Sequence, residues 1–487
     1  MEDLLQYAVD YALKLGAVYA EARYQRDLSD HVSLVNGVPL SMSYSSSAGV
    51  SIRVFTRKGV GFSATNALTK DSIRDSVEKA YREAAISEKM RKNEIKLSGE
   101  EAYRVSYMLY VKENPADISL EEKLKELMEV DKALLETKIN LPTRSLHIFT
   151  SYTEKIFCNS EGALISSKIP RISYFFMIIA NIPDKGTLMR WLQLGESGGW
   201  ENFKRWNILN KTISEAKILA KVLEEGKTPP KEPVDVILGP ELVGIIVHES
   251  CGHPSELDRI WGREGAEAGE SYMKLEMLGE RIGSNKVTII DDPTIPNSYG
   301  FYLYDDEGVK ARPRYLFKNG VINEFLMNRE FASLLGAKSN AAARASQFDR
   351  EPIIRMANTY MAPGDWSFDE MLREVKKGVY IKSFAEWNIC DRRWFQRYGG
   401  LEAYYIENGE IKHPVRNPFI EFTTKGFYSK VEAVGKEVEF FAATCGKGNP
   451  MQGVPVWAGG PHVLLRKIRL SVAPPKPSFP GKVMLWK

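Results

Sequence analysis

The chain has 487 residues, 44% of them hydrophobic and 26% charged, so it can bury more than one core. Its 66 basic residues nearly balance 63 acidic ones, for a net charge of +3, and no basic tract stands out. Composition therefore gives no footing to nucleic-acid or membrane-surface binding.

The start, Met1-Glu2-Asp3, shows no basic stretch followed by an apolar run, so no signal peptide is read. Residues 2–15 carry Leu4, Leu5, Ala8, Val9, Ala12 and Leu13 on one stripe, with Gly16 as a stop, which predicts an amphipathic helix. From Ala20 to Ala64 the texture is β-branched and alternating. Arg57-Lys58-Gly59 reads as a hairpin turn, and Thr69 as the cap of a helix to about Ala85. These elements predict a small N-terminal α/β unit over residues 1–112.

Residues 119–139 have helical spacing, and strands are expected from about Ser145 to Ile182. The apolar run Tyr174–Ile182 suits a buried strand and is too short to span a membrane. Another helix is expected over 209–225. Residues 113–226 are thus a middle α+β domain, closed by the Pro-rich linker Glu224–Pro233. Residues 227–487 form a strand-rich C-terminal domain, and the whole chain is of the α+β class. This last domain opens with a buried strand, Val234–Leu238, and a helix beginning at Gly239-Pro240. Asn319-Gly320 and Asn408-Gly409 are hairpin signals, and the Pro474–Pro480 tail reads as extended. The four cysteines, Cys158, Cys251, Cys390 and Cys445, are scattered without a CxxC pair. That argues against a disulfide framework and points to a cytoplasmic protein with reduced thiols.

The helix after Pro240 carries His248-Glu249-Ser250-Cys251-Gly252-His253-Pro254-Ser255-Glu256-Leu257-Asp258. Zinc peptidases commonly place two histidines four residues apart on one helix face. Here they are five apart. At about 100° per residue, five steps leave the second imidazole roughly 140° around from the first. A regular helix cannot aim both at one ion. Gly252 and Pro254 supply the irregularity this spacing requires, as a π-bulge or as a helix ending at Gly252. A catalytic zinc takes three protein ligands and a water. Near candidates for the third ligand are Cys251, Glu256 and Asp258, and distant ones are the other cysteines. Cys251, between the histidines, is poorly placed. Cys445 lies on a strand entering a Gly-rich turn, where Lys447 would favour its thiolate, but the same pattern suits a small buried residue at a strand end.

The chain resembles the TldD-type peptidases of the TldD/PmbA family. The resemblance covers nearly the whole length. It is carried by Gly49–Val54, Gly59–Phe62 with Thr65-Asn66, the segment from His248 to Asp258, Asp305–Gly308, Arg355–Tyr360 and Cys445-Gly446-Lys447, all in order. It implies Zn2+ bound by His248, His253 and Cys445, with Glu249 activating the attacking water. PmbA-type members lack these ligands and serve as the non-metal subunit; this chain keeps them. The resemblance further implies unfolded or short peptides as substrates, cut inside a closed cavity of a homodimer or of a heterodimer with a PmbA-like subunit.

Glu256 and Asp258 are expected to accept from the imidazoles, or else to pair with Arg259. Arg355, Asn358 and Tyr360 are expected along the cleft, although Asn358 equally suits a turn. One segment departs from the family pattern. Ser383–Arg397 is bulky, aromatic and charged where a Gly-rich stretch is usual, which bears on cleft shape and specificity. Two other readings are a non-catalytic peptide-binding or partner subunit, and a thiol hydrolase using Cys445 or Cys251 with His248 and His253.

Overall fold

The computed structural model describes residues 1–264 and 269–472; the Pro474–Pro480 tail lies outside the described residues. Helix α1 (Glu2–Lys14) buries Leu5, Ala8, Val9 and Ala12, the stripe that its sequence spaces for one face. Strands β1 (Tyr19–Val35), β2 (Val38–Phe55) and β3 (Val60–Thr65) follow. Helix α2 (Lys70–Met90) starts where the Thr69 side chain accepts from the Ser72 N–H. After a short strand β4 (Arg104–Met108) come helix α3 (Leu120–Glu136) and the long strands β5 (Thr143–Asn159), β6 (Leu164–Ile182) and β7 (Gly186–Ser197). Helices α4 (Trp200–Arg205) and α5 (Ile208–Glu225) close this part.

These seven strands make one sheet, in the order β3-β2-β1-β5-β6-β4, with β7 also on β6. Strand β1 pairs with β2 along one edge. Along the other it pairs with β5, from Glu21↔Asn159 to Val35↔Ser145. The N-terminal and middle units are therefore built on shared strands. One end of β1 (Ala20, Ala22, Tyr24) packs into a core with α1 and α2. Its other end (Val32, Leu34) packs into a second core with α3 and α5.

Among the described residues the C-terminal part contains two six-stranded sheets, a four-stranded one and a two-stranded one. Strand β8 (Val234–Leu238) is central in one of the larger sheets. It runs parallel to Lys377–Ile381 and antiparallel to Val463–Ile468. From its end rises helix α6 (Pro240–Val247), whose Leu242, Val243, Ile246 and Val247 join the largest core. That core also takes Met361, Val454 and Val456 from the other six-stranded sheet. Gly244 allows the close approach: a Cβ there would stand 2.9 Å from the Gly459 nitrogen. Packing between two sheets thus fixes the helix that leads into the histidine motif. Among the described residues no helix is long and apolar enough to cross a membrane.

Candidate metal centre

At the end of α6 the winding changes. Residues His248–Gly252 form a π-helical turn, and the His253 N–H donates to the His248 carbonyl five residues back. A short 3₁₀ turn, His253–Ser255, follows. One residue inserted into a turn rotates the second histidine back onto the face of the first. The two imidazoles meet with ring centroids 4.9 Å apart and planes at 84°. Gly252 sits where a Cβ would fall 2.0 Å from the Met356 sulfur, so the turn closes against its neighbour only without a side chain.

The third group comes from the strand Glu439–Lys447. Cys445 Sγ stands 3.4 Å from His253 Nε2, and ligand-type atoms of His248, His253 and Cys445 all lie within 4.8 Å of one another. All three residues are buried. A ring nitrogen at about 2.0 Å and a thiolate at about 2.3 Å from a shared tetrahedral zinc would sit about 3.5 Å apart. The observed sulfur–nitrogen separation fits that, and so does the donor chemistry of two imidazoles and a thiolate. His248 Nδ1 is buried without a hydrogen-bond partner, a polar atom that such a site leaves over for coordination or for water.

Electrostatics prepare the thiolate. Burial alone would raise the Cys445 pKa, but the His253, Arg355 and His248 charges hold it well below the ordinary thiol value. Burial likewise pulls His248 down, and the Cys445 thiolate more than reverses this, so its pKa is raised. Lys447 is not the group that supports the sulfur. Its ammonium is 2.7 Å from both Asp258 carboxylate oxygens and 3.2 Å from Glu256. After His253, the cation that most supports the sulfur is Arg355, whose guanidinium donates to the Cys445 carbonyl.

Glu249 follows His248 and lines the same cavity as the three candidate ligands. Glu256 accepts from His253 Nδ1 at 3.1 Å and from Arg259 Nε at 2.6 Å. Burial opposes its charge, yet Lys447, His253 and Arg259 hold its pKa well below the carboxylate range. Asp258 differs from the expectation of an imidazole contact. Its acceptors are taken by Lys447 and the Arg259 N–H.

The remaining expected cleft residues are elsewhere. Arg355 is fully buried behind the sulfur, bonded to the Gln452 and Cys445 carbonyls. Asn358 cross-links backbone: it donates to the Asp292 carbonyl and accepts from the Gly300 and Trp457 N–H groups. Tyr360 packs edge-on against Phe440. The strand Asn358–Met361 runs inside its sheet, between Ile289–Asp291 and Gln452–Gly460, so both of its hydrogen-bonding edges are taken. Cys251 is fully buried and its pKa is pushed well up by burial, which keeps it protonated and unsuited to nucleophilic attack.

Sequence reasoning missed Arg393. It sits in the turn between the strands Phe384–Ile389 and Phe395–Gly400, with φ +58°. A non-glycine residue held in the left-handed region is sparsely populated and gathers at functional sites. Its carbonyl is anchored by Gln396 Nε2 and Thr424 Oγ1, and its Nε lies 3.4 Å from Glu249 Oε2. The only sequence signal was that this segment is atypically bulky. The cavity it lines also takes Trp191, Phe384 and Trp387.

Comparison with known proteins matches three domain descriptions in order. They are PmbA/TldA metallopeptidase domain 1 over residues 20–84, the central domain over 113–224, and the C-terminal domain over 231–472. Metalloprotease MJ0996 of Methanocaldococcus jannaschii is 34% identical over 91% of this chain and 94% of its own length. The zinc metalloprotease TldD homolog of Saccharolobus solfataricus is 29% identical over 94% of this chain and 98% of its own. The crystal structure of TldE from Thermococcus kodakarensis shares the fold at a TM-score of 0.74. It has 16% identity, and the match covers 97% of this chain and 99% of that one.

Proposed function

The chain belongs to the PmbA/TldA metallopeptidase family, and on that premise we propose that it is a zinc-dependent peptidase for unfolded or short peptides, with Glu249 as general base. The observation that carries this reading is the convergence of His248, His253 and Cys445 within 4.8 Å beside that carboxylate. Zinc held by these three would supply Lewis acidity to the scissile carbonyl and to the attacking water. Glu249 takes the proton from the water and delivers it to the leaving amine. Glu256 fixes the orientation of the His253 ring, and Arg355 holds Cys445 in its thiolate form. A thiolate donates more charge than a third imidazole, so positioning of the peptide carries more of the rate. A dimeric enzyme, with itself or with a PmbA-like subunit, is part of this proposal, as is a cytoplasmic location.

The test combines metal and turnover. Purified protein should contain about one zinc per chain by elemental analysis, and a chelator should abolish peptide cleavage. Glu249→Gln should keep its zinc while cleavage falls by about 10²–10⁴-fold. Normal cleavage by that variant removes the general base assigned here. Chelator-resistant cleavage that thiol alkylation blocks would replace the metal reading with a Cys445 nucleophile.

A further inference from the structure

The cavity at the metal centre does not end at the ligand cluster. Its volume is about 400 Å³, in the range of sites that enclose a ligand group. Its lining joins His248, Glu249, His253 and Cys445 to an apolar group, Trp191, Ile245, Phe384, Trp387, Ile389 and Phe441. Three of these rings brace one another. Trp191 and Phe384 meet edge-on at 5.3 Å, Phe384 and Trp387 edge-on at 5.3 Å, and Trp191 and Trp387 at 5.9 Å. Such offset and edge contacts hold the wall in one shape before anything binds. Two parts of the chain build it: Trp191 lies on β7, while Phe384 and Trp387 lie on the C-terminal strand Phe384–Ile389. Trp191 and Trp387 are only half-buried, leaving aromatic surface uncovered at the cavity.

Charge along the cavity is balanced. The two lining carboxylates are both paired with arginine, Glu241 with Arg190 at 2.6 Å and Glu249 with Arg393 at 3.4 Å. A lysine or arginine side chain entering here would meet only carboxylates that already hold an arginine, and so would lose its water for little gain.

We propose that this chamber is the subsite for an aromatic or large aliphatic side chain next to the bond that is cut. Trp387, Trp191 and Phe384 set the preference. The assignment rests on the peptidase reading above, and it gives the atypical 383–397 segment a role: the bulky residues form the specificity wall of the cleft. A buried phenylalanine side chain gains about 10–100-fold over alanine by removal of apolar surface from water.

The experiment uses blocked hexapeptides that differ at one central position, Phe, Leu, Ala, Lys or Asp. Binding to the full-length, zinc-loaded Glu249→Gln protein is followed by isothermal titration calorimetry, which needs no turnover. The Phe and Leu peptides should bind about 10–100-fold more tightly than Ala, with Lys and Asp weaker still. Trp387→Ala should bring the Phe:Ala ratio close to unity, and Trp387→Phe should restore most of it. Trp191→Leu provides a second variant, and unchanged circular dichroism melts show that each is folded. Cleavage by the unmutated enzyme, read by mass spectrometry, should fall beside the Phe. Equal affinity for Phe and Ala peptides, or a preference untouched by both variants, overturns the subsite. Unselective cleavage of every peptide likewise removes the subsite and leaves the peptidase standing. Selective binding with no cleavage of any peptide supports the subsite and removes the peptidase.

Discussion

Glu256 and Asp258 are two residues apart, equally acidic, and perform different tasks. Glu256 touches the His253 ring; Asp258 holds Lys447. Loss of a carboxylate that orients a ligand histidine weakens metal binding by about 10–100-fold. Glu256→Gln should show that loss in a chelator competition, while Asp258→Asn should lower thermal stability and leave metal affinity nearly unchanged. Equal metal losses in the two variants would show that neither carboxylate acts through the imidazole. The motif alone pointed to His248, Glu249 and His253 as candidates, because their spacing and the glycine and proline beside them are local. Cys445 was one candidate among several until family resemblance singled it out, since its contact with His253 spans 192 positions and the Gly-rich turn beside it suits a small buried residue equally well. Arg355, Asn358 and Tyr360 were expected in the cleft because a motif names residues without saying which way a strand faces. Arg393 and Trp191 were illegible for the same reason: a turn and a neighbouring sheet bring them in.

The π-helical turn is the element on which the centre depends. It closes because Gly252 leaves room for Met356. Gly252→Ala should force the two apart and misalign His253, reducing zinc content after dialysis and lowering stability by about 1–3 kcal/mol. Adding Met356→Ala to that variant should return much of the zinc, because the second change vacates the space the first one needs. A double variant no better than Gly252→Ala would show that the contact with Met356 is not what closes the turn. The helix itself was readable from Pro240 and the apolar residues after it. The sheets that clamp it were not, because their pairing joins strands as distant as Val234–Leu238 and Val463–Ile468.

Across the whole molecule, buried ion pairs join the N-terminal sheet to the C-terminal part. Lys155 on β5 sits 2.8 Å from Asp306, Arg23 on β1 is 3.6 Å from the same carboxylate, and Arg53 on β2 is 2.6 Å from Glu307. Burial would raise the Asp306 pKa, but Lys155 and Arg23 bring it below the ordinary aspartate value. A carboxyl with a lowered folded pKa contributes stability that is present above about pH 4 and is lost as pH falls through the folded value. Lys155→Met should therefore lower unfolding stability by about 1–3 kcal/mol at pH 7, because it leaves Asp306 with the longer pair to Arg23, at 3.6 Å. The gap from the parent protein should narrow below about pH 4 as that carboxyl protonates. Urea midpoints across pH 3–7 measure both, and a pH-independent gap would show that packing, not charge, carries the joint.

The long β1–β5 seam also governs how this protein can be cut. A fragment ending at residue 112 would keep β1 and β2 but lose β5, stripping one flank of β1 from Glu21 to Val35 of every hydrogen-bonding partner. Bare flanks of that length recruit other chains. Recombinant dissection should therefore keep β5 with β1, and a fragment cut between them should aggregate where the whole chain does not.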